Sequence, residues 1–177
     1  DDADAEIREI VLEVDRDDFD YSPGQSIGAL IPGPHEFGHD FHFRLYSVAD
    51  TASGDGKPRI TIAVRRCEYI DEFSGERYDG IASNYICDLK AGDTLEITGP
   101  YGYAFEVPED NDANLILIGA GTGIAPFRAF VKHIYKDIGG WNGKVRLFYG
   151  AQTGLELAYM NDERDDFTQY YDEDTFE

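Results

Sequence analysis

Hydrophobic and polar residues alternate in short runs through the first part of the chain. The runs "EIREIVLEV", "IGALI", "HFRLYSV" and "PRITIAVRR" largely place apolar side chains at every second position. Alternation with this period is typical of β-strands that turn one face towards a core. Turn sequences such as "SPGQS", "SGDGK" and "AGD" separate the runs. This part of the chain is therefore predicted to form an antiparallel barrel or sandwich.

The pattern changes after the polar, proline-containing linker "VPEDNDAN", which spans residues 107 to 114. The continuous apolar run "LILIG" is typical of a strand that is buried on both faces. A glycine-rich turn, "GAGTGIAP", follows it, and "KVRLFYG" predicts a second strand. The residues between them predict a helix, ended by "GG", with one apolar face formed by Phe127, Phe130, Val131, Ile134 and Ile138.

The two patterns predict an antiparallel β domain over residues 1–107 and the first part of an α/β domain over residues 114–177. Only two parallel strands are evident in the second domain, whereas parallel sheets are normally covered by helices on both faces. After Gln152 the sequence is rich in acidic residues and predicts only one more short helix. The α/β domain is therefore predicted to be incomplete, and the chain to be a fragment.

The chain carries 36 acidic and 15 basic residues, which gives a formal net charge of −21. Such a polyanion repels nucleic acid and acidic membranes, so neither is expected as a partner. Two explanations of the acidity remain open, a cationic protein partner and adaptation to a salty cytoplasm. The even scatter of acidic residues along the chain favours the second.

Three features predict a cytoplasmic location. No apolar run reaches the roughly 20 residues that span a bilayer. The acidic start "DDADAEIREI" does not resemble a signal peptide. The two cysteines, Cys67 and Cys87, form neither a disulfide framework nor a C-x-x-C motif, so we interpret them as packing thiols in a reducing compartment.

The segment "HEFGH" matches H-E-x-x-H, in which a helix brings two histidines to one zinc ion. Pro34 precedes the first histidine, and Gly38 inside the turn costs about 1 kcal/mol of helix stability relative to Ala. No apolar periodicity extends a helix in either direction. His35, Glu36 and His39 are therefore predicted to lie in an exposed loop, and no metal site is expected.

The strand from Phe41 to Ser47 has two different faces. Phe41, Phe43 and Leu45 suit a barrel core, whereas His42, Arg44 and Tyr46 share the opposite face. On that face a guanidinium and a phenol ring lie about 7 Å apart, because each strand residue advances about 3.3 Å. A guanidinium can bind a pyrophosphate with two hydrogen bonds, and a phenol ring can stack on a flat heterocycle. By themselves, these residues are more consistent with an ordinary surface arginine and tyrosine.

Two further segments suit an anionic ligand. In "GIASNYICDLKAGD", Ser83 is predicted to be the N-cap of a short helix, and small residues precede it. In "GAGTGIAP", glycines between a strand and a helix allow the backbone to approach a pyrophosphate closely. Ile124 stands where the last glycine of G-x-G-x-x-G would be, so a tight structural turn remains the alternative.

Taken in this order and spacing, "RLYS", "GIASNYICDLKAGD", "ITGPYG" and "GAGTGIAPFRAF" resemble the ferredoxin–NADP+ reductase family, in its plant-type branch or the similar reductase components of oxygenases. The resemblance covers the chain from about Ala5 to Tyr159. It implies an antiparallel β-barrel FAD-binding domain followed by an α/β nucleotide-binding domain. The implied cofactors are FAD and NADP.

The resemblance also implies roles for individual residues. Arg44 would contact the FAD pyrophosphate, Tyr46 would stack on the flavin, and Ser47 would lie near flavin N5, so Tyr46 and Ser47 are the expected catalytic residues. The remaining expected cofactor-binding residues surround these three. They are Ala63, Arg65 and Tyr69 beside the adenosine, Gly80, Ile81, Ala82 and Ser83 at the helix start, and Gly121, Thr122, Gly123 and Pro126 in the glycine-rich turn.

The implied reaction is hydride transfer between NADPH and FAD, with electrons passing to or from an iron–sulfur carrier such as ferredoxin. Several family features have no counterpart in this sequence: the catalytic cysteine, the acidic residue near the C-terminus and the Ser-Arg segment that binds the NADP 2′-phosphate. The first barrel strand is also expected to be missing before Asp1. The alternative is therefore a non-catalytic flavin-binding or nucleotide-binding subunit of a larger electron-transfer complex.

Overall fold

The structure of the protein is a computed structural model, which describes residues 6–35, 38–52, 56–161, 164–167 and 174–176. Antiparallel strands make up the first part of the chain, and a parallel strand pair with a helix makes up the second. The predicted order of an antiparallel β domain and an incomplete α/β domain is confirmed.

The β domain contains seven strands and one helix among the described residues. Two antiparallel sheets form its body, one of β1 and β4 and one in the order β3-β2-β7, and a bridge between Val48 and Ile62 connects them. A separate hairpin, β5–β6, projects beside them. The elements are β1 (Ile7–Glu13), β2 (Ser26–Pro32), β3 (Phe41–Ser47), β4 (Arg59–Arg65), β5 (Glu68–Ile70), β6 (Arg77–Asp79), α1 (Ile81–Asp88) and β7 (Glu96–Tyr101).

The core of the β domain lies between its two sheets and α1. β-Branched residues, which pack well on pleated surfaces, supply most of it. The fully buried side chains of the two sheets and the helix include Ile27, Ile31, Ile60, Ile62 and Ile86. This core fixes the ends of β3 and β4, which border the site described below.

Strand β3 has two different faces, as predicted, but the prediction that Phe41, Phe43 and Leu45 face the core is wrong. Phe41, Phe43 and Leu45 are 48%, 45% and 54% exposed. They lie on the outer face of the β3-β2-β7 sheet, where the Phe43 ring packs edge-on against Tyr101 with centroids 6.0 Å apart. Residues that lie opposite each other on paired strands share a face of the sheet. Tyr46 lies opposite Ile27, which is fully buried, so the face that carries Tyr46 is the one that faces the core.

The α/β unit is built on β8 (Leu115–Ala120) and β9 (Val145–Gly150), which pair in parallel. A 3₁₀ turn (Gly121–Ile124) leads from β8 into α2 (Ala125–Lys132), which continues as a π-helical turn (His133–Ile138). The chain then leaves the helix through Gly139, whose φ of +97° favours glycine. The predicted helix and both strands are confirmed, but Ile138, predicted for the apolar face of the helix, is 45% exposed at its end.

The remaining described elements follow β9. They are a 3₁₀ turn (Gly154–Glu156), β10 (Met160–Asn161) and β11 (Arg164–Asp165). Helix α2 covers one face of the parallel pair, where Leu117 is buried. On the other face Ile116, Ile118 and Phe148 are 63%, 72% and 58% exposed, so the prediction of a strand buried on both faces is wrong for β8. Nothing in the described residues covers this face, as expected for an incomplete α/β domain.

A buried ionic network joins the two units. The Arg128 side chain on α2 is 4% exposed and donates hydrogen bonds of 2.7 Å to the Ala49 carbonyl and to Asp166 Oδ2. Asp50 Oδ2 lies 3.2 Å from Arg128 Nη1, and Lys132 pairs with the same carboxylate. The guanidinium also lies 4.8 Å from the centroid of the Tyr159 ring. Because Ala49 and Asp50 lie only two and three residues after the end of β3, this network fixes the α/β unit against the strand that carries Arg44 and Tyr46.

Candidate functional site

A cleft of about 810 Å³ opens between the β domain and the α/β unit. Its volume lies in the upper part of the range of ligand pockets, about 300–1,000 Å³. The cleft brings together residues from β3, β4, the start of α1 and the glycine-rich turn. The predicted site residues on its wall are Arg44, Tyr46, Ser47, Ala63, Arg65, Tyr69, Gly80, Ile81, Ala82, Ser83, Thr122 and Gly123.

The cleft has the opposite charge to the rest of the chain. Among the residues that the structure describes, no acidic side chain lies on its wall, which carries the guanidinium groups of Arg44 and Arg65. Burial lowers the pKa of His42, the third basic residue on the wall. Long-range attraction for an anion is strongest where like-signed groups line a concave surface. An anionic ligand is therefore favoured in this cleft, although the chain as a whole repels anions.

Arg44 is an exposed guanidinium that makes no hydrogen bond or ion pair with the described part of the chain. Its neighbour on the same face, Tyr46, is half-buried and packs against the β-domain core. Burial raises the pKa of the Tyr46 phenol to about 12, so the ring is neutral near pH 7. The Ser47 hydroxyl lies 3.4 Å from the Ser26 hydroxyl. The end of β3 thus places three groups on the cleft wall: the Arg44 guanidinium, the Tyr46 ring and the Ser47 hydroxyl.

The start of α1 forms a second wall of the cleft. The helix begins at Ile81, with Gly80 as the N-cap residue and no side-chain cap, so the prediction of Ser83 as N-cap is wrong. The Ser83 hydroxyl instead donates to the Gly80 carbonyl at 3.3 Å and accepts from the Cys67 N–H at 3.1 Å. These bonds tie the helix to the segment after β4. The first amides of α1 are left without a side-chain acceptor, as in an anion site.

The glycine-rich turn closes the cleft from the α/β side through Thr122 and Gly123. Two residues predicted for the site do not lie on the cleft wall. The Gly121 carbonyl accepts a hydrogen bond of 3.0 Å from the Tyr149 hydroxyl, and Pro126 forms the first turn of α2. Both shape the turn, because Gly121 has a φ of +52° and proline suits the first turn of a helix.

The β5–β6 hairpin carries two stacked phenol rings at the edge of the cleft. Tyr69 and Tyr78 have ring centroids 5.4 Å apart at an interplanar angle of 19°. They are 58% and 43% exposed, and Tyr69 lies on the cleft wall. An exposed aromatic face of this kind can stack on a base or another flat heterocycle.

Cys67 is a site residue that the sequence interpretation missed. It was interpreted as a packing thiol, yet it is exposed and lies on the cleft wall between Arg65 and Tyr69. Positions 65, 67 and 69 of an extended segment share one face, so the predicted roles of Arg65 and Tyr69 could have indicated that Cys67 also faces the site. Cys87 is fully buried, and the interpretation as a packing thiol is confirmed for it.

The "HEFGH" segment lies between β2 and β3. His35 is in a loop and its Nε2 is 2.9 Å from the Ile31 carbonyl, and His39 is an exposed loop residue, as predicted. Glu36 lies outside the described residues. Among the residues that the structure describes, no three histidine, cysteine, aspartate or glutamate side chains cluster as a metal site.

Two protein-family models match the chain. An oxidoreductase FAD-binding domain model covers residues 3–105, and an oxidoreductase NAD-binding domain model covers residues 117–176. The first model alone matches more than half of the chain.

Curated proteins and solved structures give the same result. The ferredoxin–NADP reductase of the Cyanophora paradoxa cyanelle is 41% identical over 147 residues, which are 80% of this chain and 40% of that protein. The ferredoxin–NADP reductase of a Spirulina species is 37% identical over 161 residues, or 88% and 55% of the two chains. The chain thus spans 40% to 55% of the length of these relatives.

The fold is found again in a solved structure. Ferredoxin–NADP+ reductase from Plasmodium falciparum with 2′P-AMP superposes with a TM-score of 0.73 at 24% identity, over 100% of this chain and 66% of that one. The resemblance found in the sequence motifs is therefore confirmed. The chain belongs to the oxidoreductase FAD-binding domain family, and the curated proteins to which it is similar include ferredoxin–NADP reductases.

Proposed function

We propose that the cleft binds FAD and then a nicotinamide dinucleotide, and that the chain serves hydride transfer between NADPH and FAD. The observation that carries this proposal is a cleft in which the described residues place no acidic side chain and give Arg44 no partner, in a chain of net charge −21. A dinucleotide has both properties that such a cleft selects, a charged pyrophosphate and flat rings. The family models that match the two halves of the chain support the same pair of ligands.

The residues present fit FAD. Arg44 would hold the pyrophosphate with charge-assisted hydrogen bonds, and the first amides of α1 would add further donors. Tyr46 would stack on the flavin and Tyr69 on the adenine, with Ala63, Gly80, Ile81, Ala82 and Ser83 completing the wall. When bound, the flavin supplies the chemistry that accepts and donates hydride. The chain's own contribution is to hold the two rings in contact, with Ser47 beside them and water excluded.

The glycine-rich turn would receive the second dinucleotide through Thr122 and Gly123, with Gly121 shaping the turn and Pro126 fixing the start of α2. We assign residues 1–107 to the FAD-binding domain and residues 114–177 to the N-terminal part of the NAD(P)-binding domain. The family-model matches over residues 3–105 and 117–176 support this division.

The proposed redox partner is a protein electron carrier such as ferredoxin or another iron–sulfur protein, since the curated relatives carry the name ferredoxin–NADP reductase. In the described part of the chain no helix is both long and apolar enough to cross a bilayer. We also propose a reducing compartment such as the cytoplasm, because Cys67 and Cys87 are both free thiols.

The absorption spectrum of the full chain, purified after incubation with FAD, tests this function. Bound flavin bands and NADPH-dependent reduction of ferricyanide are the expected results. A chain that stays colourless would overturn the proposal. A yellow chain without NADPH activity would instead favour the second candidate, a non-catalytic flavin-binding subunit, which the exposed face of the incomplete α/β unit supports.

The first prediction concerns flavin stacking. Tyr46→Ala should lose most of its FAD, with an affinity about tenfold lower, because aromatic stacking on a base contributes about 1–3 kcal/mol. Tyr46→Phe keeps the ring and should retain FAD. Fluorescence titration of free FAD measures both variants. Full flavin occupancy in Tyr46→Ala would disprove the stacking role.

The second prediction uses Cys67 as a reporter. Its exposed thiol should react with a disulfide reagent in the FAD-free chain, whereas the buried Cys87 should not. FAD at ten times its Kd should slow the reaction about tenfold, because only about a tenth of the molecules then have an empty cleft. Cys67→Ser is the control and should abolish the fast reaction. Equal labelling rates with and without FAD would place the flavin elsewhere.

A further inference from the structure

We propose that Glu156 is an internal competitor for the phosphates of the exchanging nicotinamide dinucleotide, because from behind the cleft wall it holds the cleft residue Arg65 in an ion pair. Glu156 would thereby set how tightly that nucleotide binds and how readily it leaves. The inference rests on the proposed function and adds a residue that no sequence motif singled out.

The two arginines of the cleft differ in their partners. Arg44 has no ion pair with the described residues, whereas Arg65 Nη2 donates to Glu156 Oε1 at 3.3 Å. Arg65 ends β4 in the β domain, and Glu156 lies in the 3₁₀ turn after β9. Because this contact places Arg65 beside the α/β unit, we assign its phosphate contact to the nicotinamide nucleotide and not to the FAD adenosine that the resemblance implies. The ion pair therefore spans the two units, and only one of the two cleft arginines is already neutralised.

The Glu156 carboxylate is fixed in place. Its side chain is 7% exposed, and its Oε2 accepts a hydrogen bond of 3.2 Å from the Gln152 N–H. The Tyr149 hydroxyl donates to both the Glu156 carbonyl and the Gly121 carbonyl, at 3.2 and 3.0 Å. Glu156 is therefore anchored beside the glycine-rich turn. A carboxylate this buried is unfavourable without a cation, and Arg65 supplies it.

A phosphate that approaches Arg65 meets both charges of the pair. The guanidinium has five N–H donors and gives one to Glu156, so it can still bind a phosphate. The fixed carboxylate repels the same phosphate and retains part of the Arg65 charge. Binding at Arg65 is therefore weaker than binding at Arg44.

This difference suits the two ligands. A resident cofactor must stay bound through many turnovers, and the unpaired Arg44 serves it. A nucleotide substrate must leave in every turnover, and release often limits the rate of such enzymes. Glu156 keeps the second site weak enough for exchange.

Glu156→Gln tests the inference on the FAD-loaded full chain. Glutamine keeps the shape and an acceptor for the Gln152 N–H but removes the charge. Titration with NADP+, followed by the flavin difference spectrum at fixed ionic strength, should show a Kd about tenfold lower than that of the wild type. The FAD affinity should stay unchanged. With NADPH and ferricyanide, KM should fall by a similar factor while kcat does not rise.

Glu96→Gln is the matched control, because it makes the same charge change on an exposed strand residue that is not on the cleft wall. It should leave the NADP+ Kd within about twofold of the wild type, as a change of one screened surface charge does. Glu156→Ser, which removes the carboxylate altogether, should tighten NADP+ binding in the same direction and replaces Glu156→Gln if that variant fails to fold.

Unchanged or weaker NADP+ binding in flavin-loaded Glu156 variants would overturn this inference alone. A wild-type chain that shows no flavin bands before NADP+ is added would overturn the proposed function, and the inference with it. The spectrum recorded at the start of each titration separates the two outcomes.

Discussion

Arg44→Gln is expected to lower the affinity of the chain for FAD about 100-fold. Arg44 is the cleft cation that no described residue neutralises, so its guanidinium is free to bind a pyrophosphate through two N–H groups. Each hydrogen bond to a charged group contributes about 1.5–3 kcal/mol, and a loss of about 3 kcal/mol corresponds to two orders of magnitude in Kd. Isothermal titration of the flavin-free chain with FAD measures the loss.

The matched control for this prediction is Arg16→Gln. Arg16 is an exposed arginine that pairs with Asp18, and it does not lie on the cleft wall. Both substitutions remove one positive charge, so a general change in net charge affects them equally. Arg44→Lys should fall between wild type and Arg44→Gln, because an ammonium group cannot form the bidentate geometry. Equal FAD affinities for Arg44→Gln and Arg16→Gln would refute the assignment of Arg44.

Local pattern was enough to predict most of the fold. Strand alternation located β1 to β4, and the switch to a helical period located α2. The ordered motifs also gathered most of the predicted site residues around one cleft. Their cofactor roles remain predictions, because a shared cleft does not by itself identify a ligand.

Errors arose where a side chain's surroundings depend on distant parts of the chain. The strand period showed that Phe43 and Arg44 lie on opposite faces, but the partner strand β2 decides which face is buried. Ser83 has the chemistry of an N-cap, yet its hydroxyl binds Cys67, 16 residues earlier in the chain. Residue type alone therefore could not fix its role.

Polar contacts between residues far apart in the sequence could not be predicted from the sequence. Arg65 and Glu156 are 91 residues apart, and Arg128 and the Ala49 carbonyl are 79 residues apart. In a chain with 36 acidic residues, each basic residue has many candidate partners, and only the fold selects among them. These contacts are the ones that join the two units around the cleft.

Arg128→Ala is expected to destabilise the chain by about 3–5 kcal/mol, the usual cost of removing one partner from a buried ion pair. The substitution removes the hydrogen bonds to Asp166 and to the Ala49 carbonyl. The two acidic partners of Arg128, Asp50 and Asp166, stay in place. For a chain of this size each kcal/mol lowers Tm by about 2–4 °C, so Tm should fall by roughly 10 °C. Thermal unfolding followed by circular dichroism measures the change.

Two further variants separate the charge of Arg128 from its bulk. Arg128→Met fills much of the same space and should be nearly as unstable as Arg128→Ala, because Asp166 is still buried at 5% exposure beside an uncharged side chain. Adding Asp166→Asn to Arg128→Met should recover part of the loss, since no carboxylate is then buried there. Arg16→Ala, at an exposed ion pair, should leave Tm nearly unchanged, because exposed ion pairs contribute little to stability. If Arg128→Ala were no more destabilising than Arg16→Ala, the Arg128 network could not be what holds the α/β unit against β3.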